Sequence, residues 1–218
     1  MNQNKSFRWA SLLMGALAML SLTACGDDEG SNEPDDSSDV LKTTEVTLSR
    51  KTAYGNDWIY FSLSKGEELS SVTEDGHATD LTWDLAFNRY NIRTNSGASG
   101  KGKGGAYDTG KTNFDEVTSV PSEATFTTDV EAQITGSFTG DGITYAESTL
   151  NETLAEAIAF AGPPPSYTPN NHVYIVKTAD GKYAKLQVLG FYNDEGQSGY
   201  MNFKFAYQSD GTTNLATK

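Results

Sequence analysis

The sequence predicts an all-β domain, mainly antiparallel strands and long hairpins, with one short inserted helix. Three observations lead there. Apolar and polar residues alternate with period two through most of the chain beyond Val40. Asp-Gly pairs at Asp141-Gly142 and Asp180-Gly181 separate alternating runs, and Asp-Gly supplies the positive φ angles of a tight hairpin turn. Helical periodicity marks a single segment, 149–161.

Taken in chain order, strands are expected at Thr44 to Leu48 and Asp57 to Leu63. In the next run Leu81, Trp83, Leu85 and Phe87 share a parity that switches to Tyr90 and Ile92, which predicts a bulge or a strand passing between two sheets. In FTTDVEAQITGSF, residues Phe126, Val130, Ala132, Ile134 and Phe138 fall on one face of a long strand. Its partner follows the Asp141-Gly142 turn and carries Ile143 and Tyr145. In TLNETLAEAIAFA, Leu150, Leu154, Ile158 and Ala161 recur at helical spacing, with Thr149 and Glu152 spaced as a capping box; Gly162 and Pro163-Pro164-Pro165 stop that helix. HVYIVKT, KYAKLQVLGFY and YMNFKFAYQ then read as three consecutive antiparallel strands, with Met201, Phe203, Phe205 and Tyr207 alternating with polar residues along the third.

Residues 1–24 read as a secretion signal, because Lys5 and Arg8 precede an apolar stretch from Trp9 to Leu22 too short to span a bilayer. The stretch ends in Leu22-Thr23-Ala24-Cys25, which resembles a bacterial lipobox and implies lipid attachment at Cys25, the one cysteine of the chain. Residues 25–40 follow as an acidic tether: GDDEGSNEPDDSSDV has seven acids and no base and buries too little to order itself. As a coil such a segment spans about 20 Å. The cluster Asp27, Asp28, Glu29 resembles a Bacteroidetes surface-export signal and implies a protein anchored in the outer membrane and facing the exterior. Residues 41–218 then form one β domain.

The net charge of −13 becomes −15 once the two bases of the signal are removed, which argues against nucleic acid and anionic membrane surfaces as ligands. The two histidines are too far apart in sequence to suggest a zinc site, and neither G-x-S-x-G nor H-E-x-x-H occurs. A binding module is expected, not an enzyme. GAYDTGKT fits the phosphate-loop pattern G-x-x-x-x-G-K-[ST]. However, SGASGKGKG is no buried strand, and the residues after Lys111 reach Pro121 before an amphipathic helix can form, so the match lacks the strand and helix that hold phosphate. Two readings of the glycine-lysine stretch remain. One is a flexible surface loop; the other is a bare backbone approached by a large flat ligand whose carboxylates meet lysine and arginine.

The strings LTWDLAFNRYNIRTNSGASGKGKGGAYDTGKT and VYIVKTADGKYAKLQVLGFY resemble the signature of the HmuY family of Bacteroidetes haem-binding, haemophore-like outer-membrane lipoproteins. The resemblance spans Val40 to Gln208. It implies an HmuY-like all-β fold with a ligand site between long hairpins, capture of haem outside the cell, and transfer to a TonB-dependent outer-membrane receptor. It also implies axial histidine or methionine donors at two places. One falls at Ile143 or Tyr145 in FTGDGITYAES, and the other at Phe160 or Ala161 in AIAFAGPPPSY, and none of these four is histidine or methionine. The implied pocket comprises Ile143, Tyr145, Phe160, Ala161 and Tyr167. Remaining candidates for an iron ligand are Tyr145, as a tyrosinate, and His172. A haem or porphyrin is the expected ligand. The alternative is a non-haem nutrient such as a glycan on the same scaffold. His77 reads as a loop residue and Met201 as core.

Overall fold

The computed structural model describes residues 40–49 and 52–217. The signal peptide, Cys25 and the tether up to residue 39 lie outside the described residues. A five-stranded sheet is built from β1 (Thr44–Thr47), β6 (Gly105–Asp108), β11 (Val173–Lys177), β12 (Tyr183–Tyr192) and β13 (Ser198–Gln208), in the order β1-β13-β12-β11-β6. A four-stranded sheet comprises β2 (Ile59–Ser62), β3 (Glu67–Glu68), β4 (Leu85–Asn88) and β5 (Asn91–Thr94), in the order β3-β2-β4-β5. Two hairpins complete the described strands, β7 (Val130–Thr139) with β8 (Gly142–Leu150), and β9 (Ile158–Ala161) with β10 (Ser166–Pro169). Every pairing among these strands is antiparallel.

The larger sheets enclose the main core. Phe61 and Phe87 of the four-stranded sheet meet Phe203 of β13 at ring-centroid distances of 5.3 and 5.1 Å. Leu85, Ile92, Leu186, Val188 and Met201 are buried with them. A second cluster on the opposite face of the four-stranded sheet holds Trp58, Tyr60, Trp83, Ala86 and Ile134. The turns Asp180-Gly181 and Asp194-Glu195-Gly196 fall where expected, with Gly181 at φ 92° and Gly196 at φ 76°. Thus β11, β12 and β13 are consecutive antiparallel strands, as their alternation predicts.

Several expectations require correction. The segment 149–161 is not one helix. Thr149 sits in β8 opposite Glu131, and the helix α1 is a single turn, Glu152–Ala155. Its cap is Asn151, whose side chain accepts from the Leu154 amide at 3.3 Å, so Thr149 and Glu152 do not act as a capping box. Ile158 to Ala161 then pair with Pro169 to Ser166. The apolar spacing of Leu154 and Ile158 satisfies a short helix and a strand equally, because both residues are buried in the main core. Gly162 and the three prolines therefore close a hairpin.

The parity switch after Phe87 is neither a bulge nor a strand changing sheets. Arg89 and Tyr90 form a two-residue hairpin turn between Asn88 and Asn91, with Arg89 at φ 52°. Phe87 pairs with Ile92 across that hairpin, so both face the main core. Trp83 packs instead into the second cluster, and Leu81 is 57% exposed. Along β7 the expected single apolar face breaks at a bulge between Thr135 and Ser137. Ile134 is buried while Val130 is exposed.

The glycine-lysine stretch packs closely against the protein's own chain. It folds around buried Asn95, whose Oδ1 accepts from the Gly102 amide at 3.0 Å and whose backbone oxygen accepts from the Gly104 amide at 3.0 Å. A Cβ on Gly102 or Gly104 would stand 2.5 or 2.6 Å from the Asn95 backbone oxygen. These glycines admit the protein's own chain.

Candidate functional site

Two buried arginines flank the β4–β5 hairpin, and their surroundings differ. Arg93, on β5, donates to Glu74 Oε2 at 3.0 Å, to the Thr149 carbonyl at 3.0 Å and to Ser148 Oγ at 2.9 Å, with its guanidinium 3.8 Å from the Trp58 ring centroid. Its charge is paired and its donors are used. Arg89, in the turn, is 5% exposed and has no carboxylate partner among the described residues. Its Nη2 donates to the Tyr167 hydroxyl at 2.6 Å, and its buried Nε has no hydrogen-bond partner. Three rings surround it: Tyr54 at 4.4 Å, Phe191 at 5.3 Å and Tyr167 at 5.6 Å. Cation–π contacts contribute about 0.5–2 kcal/mol each. Withdrawing an ion from water costs several kcal/mol.

The turn places Arg89 because β4 and β5 are held on both sides. Asn88 donates its amide to the Asp57 carbonyl at 3.1 Å and also to that of Gly55. Gly55 in turn donates its amide to Thr135 on β7 at 3.1 Å, at the bulge. Tyr54, over the guanidinium, is therefore adjacent to the β7–β8 hairpin, whereas Tyr167 belongs to β10. Arg89 lies between these two flanks. A cavity of about 450 Å³ opens here, lined by Thr52, Tyr54, Arg89, Pro165, Tyr167 and Ser198. That volume is in the range of small-molecule pockets.

An aromatic ladder continues from the cavity. Tyr90 stacks on Phe160 at 5.9 Å with ring planes 6° apart; Phe160 meets Tyr167 at 5.3 Å, and Tyr167 meets Phe191 at 4.6 Å. Burial raises the Tyr167 phenol pKa, against the lowering effect of Arg89, so the hydroxyl keeps its proton at neutral pH. The Tyr167 backbone amide donates to the Tyr192 hydroxyl at 3.1 Å.

Phe160 and Tyr167, both named from sequence, are thus in contact, and Ala161 is exposed beside them on β9. Ile143 and Tyr145 lie on β8, 49% and 65% exposed, near the far end of the other hairpin. No described ring contact joins Tyr145 to the ladder. His172 precedes β11, where its Nδ1 lies 2.9 Å from Asp108 Oδ2 and its nearest ring is Tyr174 at 6.5 Å. It is outside the ladder. Sequence reasoning did not single out Tyr54, Arg89, Tyr90 or Phe191 as site residues. The parity switch around Arg89, between Phe87 and Tyr90, was the one sequence signal nearby, and it does not by itself separate Arg89 from the paired Arg93. No group of three or more metal-ligating side chains occurs among the described residues.

The HmuY family profile, described as HmuY protein, matches residues 54–205. The chain belongs to the HmuY family. Among solved structures, this HmuY-family chain is similar to an apo HmuY analog from Tannerella forsythia, with TM-score 0.62 and 22% identity over 78% of this chain and 98% of that one. It is similar to a protein from Bacteroides fragilis NCTC 9343 assigned as a lipoprotein, with TM-score 0.61 and 26% identity over 76% of this chain and 89% of that one. A protein from Bacteroides vulgatus ATCC 8482 assigned as HmuY-like and heme-binding gives TM-score 0.61 and 24% identity over 76% and 91%. A search of curated proteins found no match. The antiparallel HmuY-like fold with one short helix agrees with these neighbours.

Proposed function

We propose that this HmuY-family protein binds haem or a related porphyrin as a non-enzymatic capture module. The observation that carries the proposal is the aromatic ladder of Tyr90, Phe160 and Tyr167 beside a ligand-sized cavity, with Phe160 50% exposed although large and apolar. Exposed rings at a cavity rim offer a flat apolar ligand stacking area that water does not reward. The family membership, and the name of the Bacteroides vulgatus relative, support the same reading.

A bound haem iron would take a donor other than histidine or methionine at the positions implied for axial ligands, where Ile143, Tyr145, Phe160 and Ala161 stand. Tyr145 is the candidate ligand, because the residue is 65% exposed and a tyrosinate serves ferric haem. Haemin titrated into the β domain is expected to give a shifted Soret band, and a flat difference spectrum refutes the proposal. Tyr145→Phe is expected to change the iron spectrum while His172→Ala leaves it unaltered. Missing histidine and methionine donors also favour a second reading, in which the scaffold holds a non-haem nutrient. Thermal stabilisation by such a compound, with none from haemin, selects it.

We further propose that residues 1–24 are removed, that Cys25 carries lipid and that the acidic tether holds the domain outside the outer membrane, where a TonB-dependent receptor takes the ligand. The lipobox-like Leu22-Thr23-Ala24-Cys25 and the acidic cluster support this.

A further inference from the structure

We infer that Arg89 and Tyr167 form a subsite for a carboxylate, so that the ligand of this cavity is a planar aromatic acid. The inference deepens the haem reading, which supplies one such acid. It stands on the geometry of the turn. Arg89 is buried, has no carboxylate partner among the described residues and is among the residues lining the cavity, and its buried Nε–H has no hydrogen-bond partner. The Tyr167 hydroxyl accepts from Nη2, which leaves its own proton without a described acceptor. Two unused donors thus belong to adjoining side chains, and one carries a full charge. A carboxylate satisfies both, as a charge-assisted acceptor with two oxygens. Tyr54, which lines the cavity and is 40% exposed, offers apolar area to the ring of such an acid. Arg93 is the internal control, since in the same hairpin its equivalent need is met by Glu74. The structure holds no corresponding acid for Arg89 among the described residues, although acids outnumber bases 29 to 16 in the chain.

Benzoate is the probe, with benzamide as its uncharged counterpart. Benzoate is expected to shift the Arg89 Nε–H resonance saturably in a proton–nitrogen correlation spectrum, the peak being identified by its loss in Arg89→Lys. Benzamide is expected to leave it in place. No shift with benzoate, or equal shifts with both, overturns the inference, and this arm uses the wild-type chain, so it does not depend on a variant folding. Haemin and its dimethyl ester form the second arm. The ester is expected to bind at least tenfold more weakly than haemin to the wild type, and Arg89→Gln to remove that difference. Equal binding of acid and ester by the wild type overturns the inference while leaving the haem reading intact. A benzoate response without any haemin binding supports the carboxylate subsite and refutes haem as its ligand.

Discussion

At individual positions, the residues of the family signature divide into those that hold the chain together and those that face a cavity. Asp84 belongs to the first group. Its Oδ2 accepts from the Leu63 amide at 2.9 Å and its Oδ1 from the Ala179 amide at 3.0 Å, which ties the four-stranded sheet to the β11–β12 turn. Burial raises its pKa above the usual carboxylate value. The glycines around Asn95 act in the same way. Gly102→Ala is expected to cost about 1–3 kcal/mol, because the new methyl meets a backbone oxygen that cannot retreat. In a domain of this size each kcal/mol lowers Tm by about 2–4 °C. Gly140→Ala, in the open tip of the β7–β8 hairpin with no atom within 4 Å of the added Cβ, is expected to leave Tm within a degree or so. Differential scanning calorimetry of the two variants checks the pair. The glycine-lysine string was legible as a family mark but not as a packing device, since its partner Asn95 reads as an ordinary polar loop residue. Arg89 was illegible as a site for a similar reason: spacing alone does not distinguish it from the paired Arg93.

Among the elements, the outer face of the five-stranded sheet depends on a buried lysine. Lys185 of β12 donates from Nζ to the carbonyls of Phe114 and Val117 at 2.9 and 3.0 Å and to Thr217 Oγ1 at 2.8 Å. It also lies 4.4 Å from the Phe114 ring centroid. One side chain thereby holds the 3-10 turn Phe114–Glu116 and the C-terminal segment against the sheet. Lys185→Met is expected to lose about 1–3 kcal/mol in chemical denaturation and to raise amide exchange around residues 114–118, because it leaves buried carbonyls without donors. Burial pushes the Lys185 ammonium down to about 8 from 10.5. Below that folded value both states carry the proton and the penalty is complete. Between about 8 and 10.5 the unfolded chain binds more protons, so this residue makes stability rise with pH. Buried Tyr60 and Tyr174 act oppositely, since burial raises both phenols, and stability falls as the unfolded chain ionises around pH 10. Wild type minus Lys185→Met isolates the lysine, and that difference is expected to grow in favour of the wild type across the window. Element type followed from sequence wherever alternation was sustained, as in β11 to β13. It failed at 149–161 because Leu154 and Ile158 satisfy two periodicities, and the choice fell to Asn151 and to the pairing of Phe160 with Tyr167.

For the whole molecule, the proposed anchoring makes a separate prediction. Cys25→Ala is expected to move the protein from the membrane fraction to the soluble one and to abolish incorporation of labelled acyl chains; retained labelling refutes lipid attachment at Cys25. Composition already argued against a nucleic-acid ligand on electrostatic grounds, and the alternation with Asp-Gly turns already implied antiparallel sheets. Those properties are local or additive: a turn needs its glycine wherever it lies, and charge sums along the chain. Which arginine is paired is not additive. Glu74 lies 19 residues from Arg93, Tyr167 lies 78 residues from Arg89, and Tyr54 arrives on a third segment. Strand register and the Arg89-Tyr90 turn set these meetings, so the candidate site, built on a buried arginine with no carboxylate partner among the described residues, emerged from the folded chain.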